Sequence, residues 1–286
     1  NFAVGASAKA ESPEHSPARF VSGFTEVVVT TRDADAWIEA FIQVGGWEKR
    51  EDRHASRAFL DFWGLEASAT GRVVLLANKG SDRGYIRLVQ LSNVAQGATR
   101  LDDRPWDTGG IFNFNVRVTD MGAIRPQLHA RGWIGESPPV RFSFGPFEVI
   151  EWIARGPDGV RVAFIERITP ELEGWPHLKK MSRAFNSTTI VADMKAARSF
   201  FSNALGMTPY LETMGASPTA GPNVLGLPQN IAPLITRDVA ILHPSGKNDG
   251  SVVLVHFIGA GGAGLAKRAR PTNLGIAALR FPVRNL

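Results

Sequence analysis

Apolar and polar positions alternate along this chain in short runs, and the runs recur. In "FNFNVRVTD" (112–120), Phe112, Phe114, Val116 and Val118 fall on one side of an extended strand, and Asn113, Asn115, Arg117 and Thr119 on the other. One side predicts a core contact. The other either faces water or lines a cavity. Such a strand leads each time into an Asp, a stretch of helical period, and a Gly followed by a bulky apolar residue. The pattern occurs at 24–47, 112–133 and 185–207. Asp33, Asp120 and Asp193 are predicted to cap helix N-termini through their carboxylates. Gly46, Gly132 and Gly206 suit the position after a helix, where φ is positive.

Each helix is followed by strands. The stretches 72–91 and 238–257 read as matching hairpins. The stretch 147–167 reads as a hairpin on the turn Gly156-Pro157-Asp158-Gly159. Each unit is therefore β-α-β-β-β, and a fourth begins at 271–286 with one strand. Units one and three match each other best, which suggests a duplicated pair. The expected organisation is a disordered leader over 1–19, a first domain of units one and two over 20–168, a linker at 169–180, and a second domain over 181–286 that looks incomplete at its C-terminus. The fold class is α+β.

These units resemble the vicinal oxygen chelate superfamily, which includes glyoxalase I, bleomycin-resistance proteins and extradiol dioxygenases. The strand-Asp-helix-Gly stretches and the hairpin "GPDGVRVAFIE" (156–166) carry the resemblance. It implies paired units whose mixed sheet curls into a U, with helices outside and a ligand inside. It also implies a divalent metal held by a His seven residues before the turn Asp and a Glu four after the hairpin Gly. In this chain the first position holds Glu26, Asn113 and Asn186, with Ile276 in the fourth strand. The second holds Leu88, Ala163 and Leu254. None is His, and Ala163 stands where a Glu is expected. Asn and a lone Glu suit hard cations and make a poor Fe, Zn or Ni site. No metal ligand or cofactor is therefore predicted, and a divalent metal stays open.

Within such a U, Glu26 points inward and could move a proton, with its pKa raised by desolvation. It could equally be a solvated strand end or pair with Arg117. Asn113, Asn115 and Arg117 share the inward face and could bind a carbonyl, carboxylate or enolate, or satisfy one another. Gln90 and His256 occupy matching places six residues after Gly84 and Gly250, on the face of the ligand position. They and Asn186 are further substrate-binding candidates. The apolar "FLDFWGL" (59–65) either covers the cavity mouth or packs as a helical turn.

Composition narrows the classes. The net charge of +5 is dispersed and accompanies no nucleic-acid motif, so nucleic acid is not an expected partner. No apolar run reaches the ~20 residues of a membrane span. The absence of cysteine removes disulfides and thiolate chemistry. A cytoplasmic location is favoured and a periplasmic one stays open; a homodimer is also open. The expected function is lyase or isomerase chemistry on a small oxygen-rich or aromatic molecule, without the usual His/Glu metal site. The alternatives are a non-catalytic, resistance-type binder, or a metal-dependent dioxygenase or glyoxalase-like enzyme completed beyond residue 286.

Overall fold

The computed structural model describes residues 21–283, and the leader expected over 1–19 lies outside them. In chain order the elements are β1 (Glu26–Thr30), α1 (Ala34–Ile38, continued by a π-helical segment Glu39–Val44), β2 (Glu48–His54), α2 (Arg57–Phe62), β3 (Thr70–Ala77), β4 (Tyr85–Ser92), β5 (Ile111–Val118), α3 (Met121–His129), β6 (Ile134–Gly135), β7 (Val140–Phe144), β8 (Phe147–Arg155), β9 (Arg161–Thr169), β10 (Met181–Ile190), α4 (Met194–Leu205), β11 (Thr208–Gly215), β12 (Thr236–His243), β13 (Ser251–Ile258) and β14 (Gly275–Arg280). The Asp-led turns form as the sequence dictates. Asp33, Asp120 and Asp193 each accept a hydrogen bond of 2.9 Å from the backbone N–H three residues on. Gly46, Gly132 and Gly206 all have positive φ.

Two mixed sheets result. One has the order β14-β1-β4-β3-β2. The other has the order β11-β12-β13-β10-β5-β9-β8-β6, with β7 also on β8. The pairing of units departs from the expected domains. The first strand of unit two, β5, pairs antiparallel with the first strand of unit three, β10, in the register Asn115↔Asn186 and Asn113↔Thr188. Unit one instead pairs β1 with β14. Residues 170–180, expected as an inter-domain linker, thus connect two strands of one sheet. The physical reason is that likeness between units one and three records descent, whereas strand pairing is decided by backbone edges. Connections as long as 93–110 and 170–180 reach either partner.

Units one and two are joined through their helices. Val27, Val29, Leu76 and Leu88 of the first sheet, and Phe114, Val116, Trp152 and Phe164 of the second, belong to one buried cluster with Trp37 and Phe41 between them. Trp37 stacks on Phe41 at 5.7 Å and on Phe114 at 6.3 Å, and meets Trp133 edge-on at 5.4 Å. The turn of the β8–β9 hairpin adds a polar tie. Asp158 accepts from the Thr31 hydroxyl at 2.6 Å and from the Arg32 N–H at 2.7 Å.

The opposite faces of both sheets turn away from this shared layer, and each is covered differently. On the first sheet, α2 lays Leu60 on Val28, Val89 and Leu91, with Phe59 and Trp63 beside it. "FLDFWGL" is therefore a packed helix that fills the concave face. On the second sheet, Val149, Ile153, Ala163, Ile165, Ile241, Val253 and Val255 form one inner cluster, closed over by Leu227 and Ala232. The wings meet across it: a Cβ added at Gly145, in the β7–β8 turn, would lie 3.3 Å from Leu211 of the far edge strand. The U is thus formed by units two and three.

Phe114 is fully buried at the centre of the layer that both sheets share. Phe114→Ala should lower unfolding free energy by about 3–5 kcal/mol in urea titration. A loss below about 1 kcal/mol would show that the aromatic layer is not what holds the sheets together.

Candidate functional site

The structure separates the residues that the sequence groups together. Glu26 lies in the first sheet, where Arg87 grips its carboxylate at 2.6 and 3.0 Å and Arg280 adds a contact at 2.9 Å. Arg87 also reaches Glu51 at 2.9 Å. The expected partner, Arg117, is in the other sheet. Glu26 is buried as the acceptor of an ion-pair network that ties β1 to β4 and β14, and α2 covers the concave face beside it. It does not share a cavity with Asn113, Asn115 or Arg117.

Gln90 and His256 are equivalent to each other, as expected, and lie on the face opposite to the expected one. Each alternates with residues packed against the helices: Leu88 for Gln90, Val252 and Leu254 for His256. Gln90 donates to Arg32 O at 2.9 Å, and the His256 ring nitrogen Nδ1 lies 3.0 Å from Val191 O. Glu166 does the same for unit two, accepting from Met121 N–H at 2.7 Å. All three brace strand-to-helix turns. Counting from Gly84 and Gly250 misplaces them because those strands start one residue sooner after their glycine than β9 does after Gly159. Leu88 and Leu254 are out of step for the same reason, and Val253 is the inward residue.

Asn113, Asn115, Arg117 and Asn186 do face inward together. β5 pairs with β9 in the register Asn113↔Arg161, Asn115↔Ala163 and Arg117↔Ile165. Asn113 donates to Asn115, and Asn186 donates to Asn248 at 3.0 Å. Of the positions that the resemblance assigns to a metal, this face holds Asn113, Asn186 and Ala163, with Val253 inward in place of Leu254. This donor set, without carboxylate or imidazole, does not fit a transition metal. Among the described residues no group of three or more His, Asp or Glu could hold a metal ion.

The inner face opens at one end into a cleft of about 480 Å³, lined by Arg117, Phe147, Arg167, residues 170–175, Arg183, Tyr210, Asn248 and Asp249. Its construction follows from strand ends. Arg117 and Arg167 are the last inward residues of β5 and β9. β10 bulges between Ala184 and Asn186, which lets Phe185 as well as Asn186 face inward. The Arg117 guanidinium then lies between Phe185 and Trp175, at 4.4 and 4.8 Å from their ring centres. Arg167 lies over Phe147 at 4.0 Å.

Charge pairing distinguishes these arginines from their neighbours. Arg183 is held by both oxygens of Asp249, at 2.9 and 2.8 Å. Arg161, at the other end of β9, is saturated by Asp103 and Glu136. Arg117 and Arg167 have no side-chain hydrogen bond or ion pair, and the Nε of each is buried without a partner. Arg117 is only 5% exposed. Burial, then the like charge of Arg167, lowers its pKa to about 9, so it remains a cation at neutral pH. Burial lowers Arg167 as well.

Sequence reading singled out Arg117 and missed Arg167, Trp175 and Glu151. Arg167 shares the inward parity of Ala163, so the alternation of "VAFIER" could have found it. Trp175 lies in the stretch taken for a linker. Glu151 falls between inward Val149 and Ile153 on β8, opposite Ile165. It has no hydrogen bond or ion pair, and burial pushes its carboxyl up to about 7. The unfolded chain ionises this group near 4.5, so the folded state binds more protons between these values and stability falls as pH rises through them. Glu151→Gln should remove that fall, worth at most about 3 kcal/mol. Melting temperatures from pH 4 to 8 check this: equal pH slopes for the two proteins would place the carboxylate in solvent.

Among the described residues, no helix is long and apolar enough to cross a membrane. No family model and no curated protein matches the sequence. Solved structures do match. Glyoxalase I from Zea mays superposes with a TM-score of 0.51 at 16% identity, over 84% of this chain and 69% of that one. A point variant of the same enzyme gives 0.54 at 14% identity, over 83% and 68%. The βαβββ units and the curled mixed sheet thus agree with these solved structures, and the chain has the fold of glyoxalase I.

Proposed function

We propose that this protein handles a small, oxygen-rich or aromatic organic anion, held in the cleft between β5, β9, β10 and residues 170–175. The observation that carries this reading is Arg117: a buried cation, flat between two aromatic rings, with no carboxylate partner. A guanidinium whose faces are stacked keeps its N–H edge for a planar acceptor, and a carboxylate or enolate matches that edge bidentately. Trp175, Phe147 and Tyr210 offer apolar wall to the rest of the ligand.

Lyase or isomerase chemistry at this site needs a group that moves a proton. Glu151, in place of Glu26, is the group suited to it. It shares a row of the sheet with Arg117 through Ile165, about 10 Å away by strand spacing. A carboxyl that titrates near neutral pH can accept and return a proton, while Arg117 stabilises the enolate charge that develops. The binding-only reading uses the same cleft without Glu151. Metal-dependent dioxygenase or glyoxalase chemistry finds no suitable donor set on this inner face.

Thermal-shift titration of the purified protein with aromatic and aliphatic carboxylic acids tests the proposal. Carboxylates should raise the melting temperature. Arg117→Met should weaken binding by about 2–4 kcal/mol, and Glu26→Gln, in the other sheet, should leave affinity unchanged. Binding that survives Arg117→Met, or a panel in which no acid binds, overturns the reading. Turnover lost in Glu151→Gln with affinity retained separates enzyme from binder.

A further inference from the structure

The geometry points to a ligand with two negative charges on oxygen, one for Arg117 and one for Arg167; this rests on the anion reading of the same cleft. Both guanidiniums lie flat on aromatic rings, so stacking occupies their faces and leaves their edges. Both keep a buried, unpartnered Nε. They line the same cleft on adjacent strands, Arg117 opposite Ile165 and Arg167 one inward step farther along β9. A monoanion would neutralise one and leave the other without a counter-charge. A dicarboxylate or a phosphate monoester answers both.

The other charges around the cleft support this count. Arg183 and Asp249 close on each other through two hydrogen bonds and contribute no net charge. Glu171 and Glu173, on the segment that follows β9, are exposed and pair with neither arginine. They stand at the rim, in solvent, where charges are screened. Tyr210 lies near both guanidiniums and can donate its hydroxyl to a ligand oxygen. The lining of the cleft therefore holds two positive charges without a carboxylate in contact, and Glu151 stands two strands from Arg117 along the same row, outside the lining.

Calorimetric titration at pH 8 with succinate, phthalate, isophthalate and inorganic phosphate, against acetate and benzoate, tests the inference. At least one dianion should bind ten-fold or more tightly than its monoanion. Arg167→Met should bring that ratio down to about one, whereas Arg117→Met should abolish binding of dianion and monoanion alike. Arg117→Lys, which keeps the charge and loses the fork, guards against misfolding and should retain weak dianion binding. Dianions that bind no better than monoanions, with binding still lost in Arg117→Met, overturn the inference and leave the anion reading standing. Absence of binding by every acid overturns both. Tighter dianion binding driven by phosphate alone identifies a phosphate ester, and by the dicarboxylates alone a diacid.

Discussion

Everything in this structure hangs on one layer of aromatic side chains between two sheets. Trp37, Phe41, Phe114, Trp133 and Phe164 are all fully or almost fully buried, and they come from units one and two alike. Because the helix-packed faces of both sheets are buried against this common layer, their concave faces must turn outward in opposite directions. That constraint fixes where a ligand can sit. It also explains why units adjacent in sequence share a core without sharing a sheet. Hydrophobic burial is indifferent to which backbone edges pair, so units one and two pack through helices and find their strand partners elsewhere.

Of the two concave faces, that of the second sheet opens into the cleft at Arg117 and Arg167. The difference lies in how far the connecting segment covers each face. The residues between β2 and β3 form α2, whose Leu60 fills the first sheet from above. In the second sheet the inner face closes over most of its length by meeting itself, with Leu227 and Ala232 as the plug. The opening is left at the end where β5 and β9 finish in arginines. Burying a guanidinium without a counter-charge is costly, and the chain avoids it at Arg161, Arg183 and Arg100, each of which has an aspartate. Stacking on Phe185, Trp175 and Phe147 offsets part of that cost for Arg117 and Arg167 and leaves the rest to be met by something that binds.

The sequence was legible wherever the physics is local. The three Asp caps, the positive-φ glycines and the Gly156–Gly159 turn all depend on residues within a few positions of each other and are where the pattern puts them. The strand alternation holds from Asn113 onward, whereas Phe112, at a register shift of β5 against β10, joins the inner cluster rather than that of Phe114, Val116 and Val118. Facing was legible within a strand, so Asn113, Asn115 and Arg117 do share the inner side. It failed across units, because β4 and β13 begin one residue nearer their hairpin glycine than β9 does, and with a period of two a single residue reverses the face. Gln90 and His256 were lost to that slip. Partner choice between units was not legible, since backbone N–H and C=O groups along a strand edge are the same for every sequence. Glu26 was misread for this reason: its supposed partner Arg117 belonged to a different sheet, and Arg87, one strand away in space, was 61 residues away in sequence.

The positions of the amides and of the arginines bear on one another. The resemblance places a cation at the middle of the inner face, where it would polarise an oxygen-rich ligand. Here that middle is neutral: Asn113 donates to Asn115, and Ala163 and Val253 are apolar. Positive charge is present on the same face, displaced by two inward steps along β5 from Asn113 to Arg117 and by two along β9 from Ala163 to Arg167. A guanidinium can do electrostatically part of what a metal does, by drawing a carboxylate or enolate oxygen and lowering the energy of charge that develops there. It cannot activate water or exchange electrons, and it fixes its ligand by a planar fork rather than by a coordination shell. Under the proposed anion reading, an inner cavity with its positive charge at the strand ends suits ligands rich in anionic oxygen held by their edges.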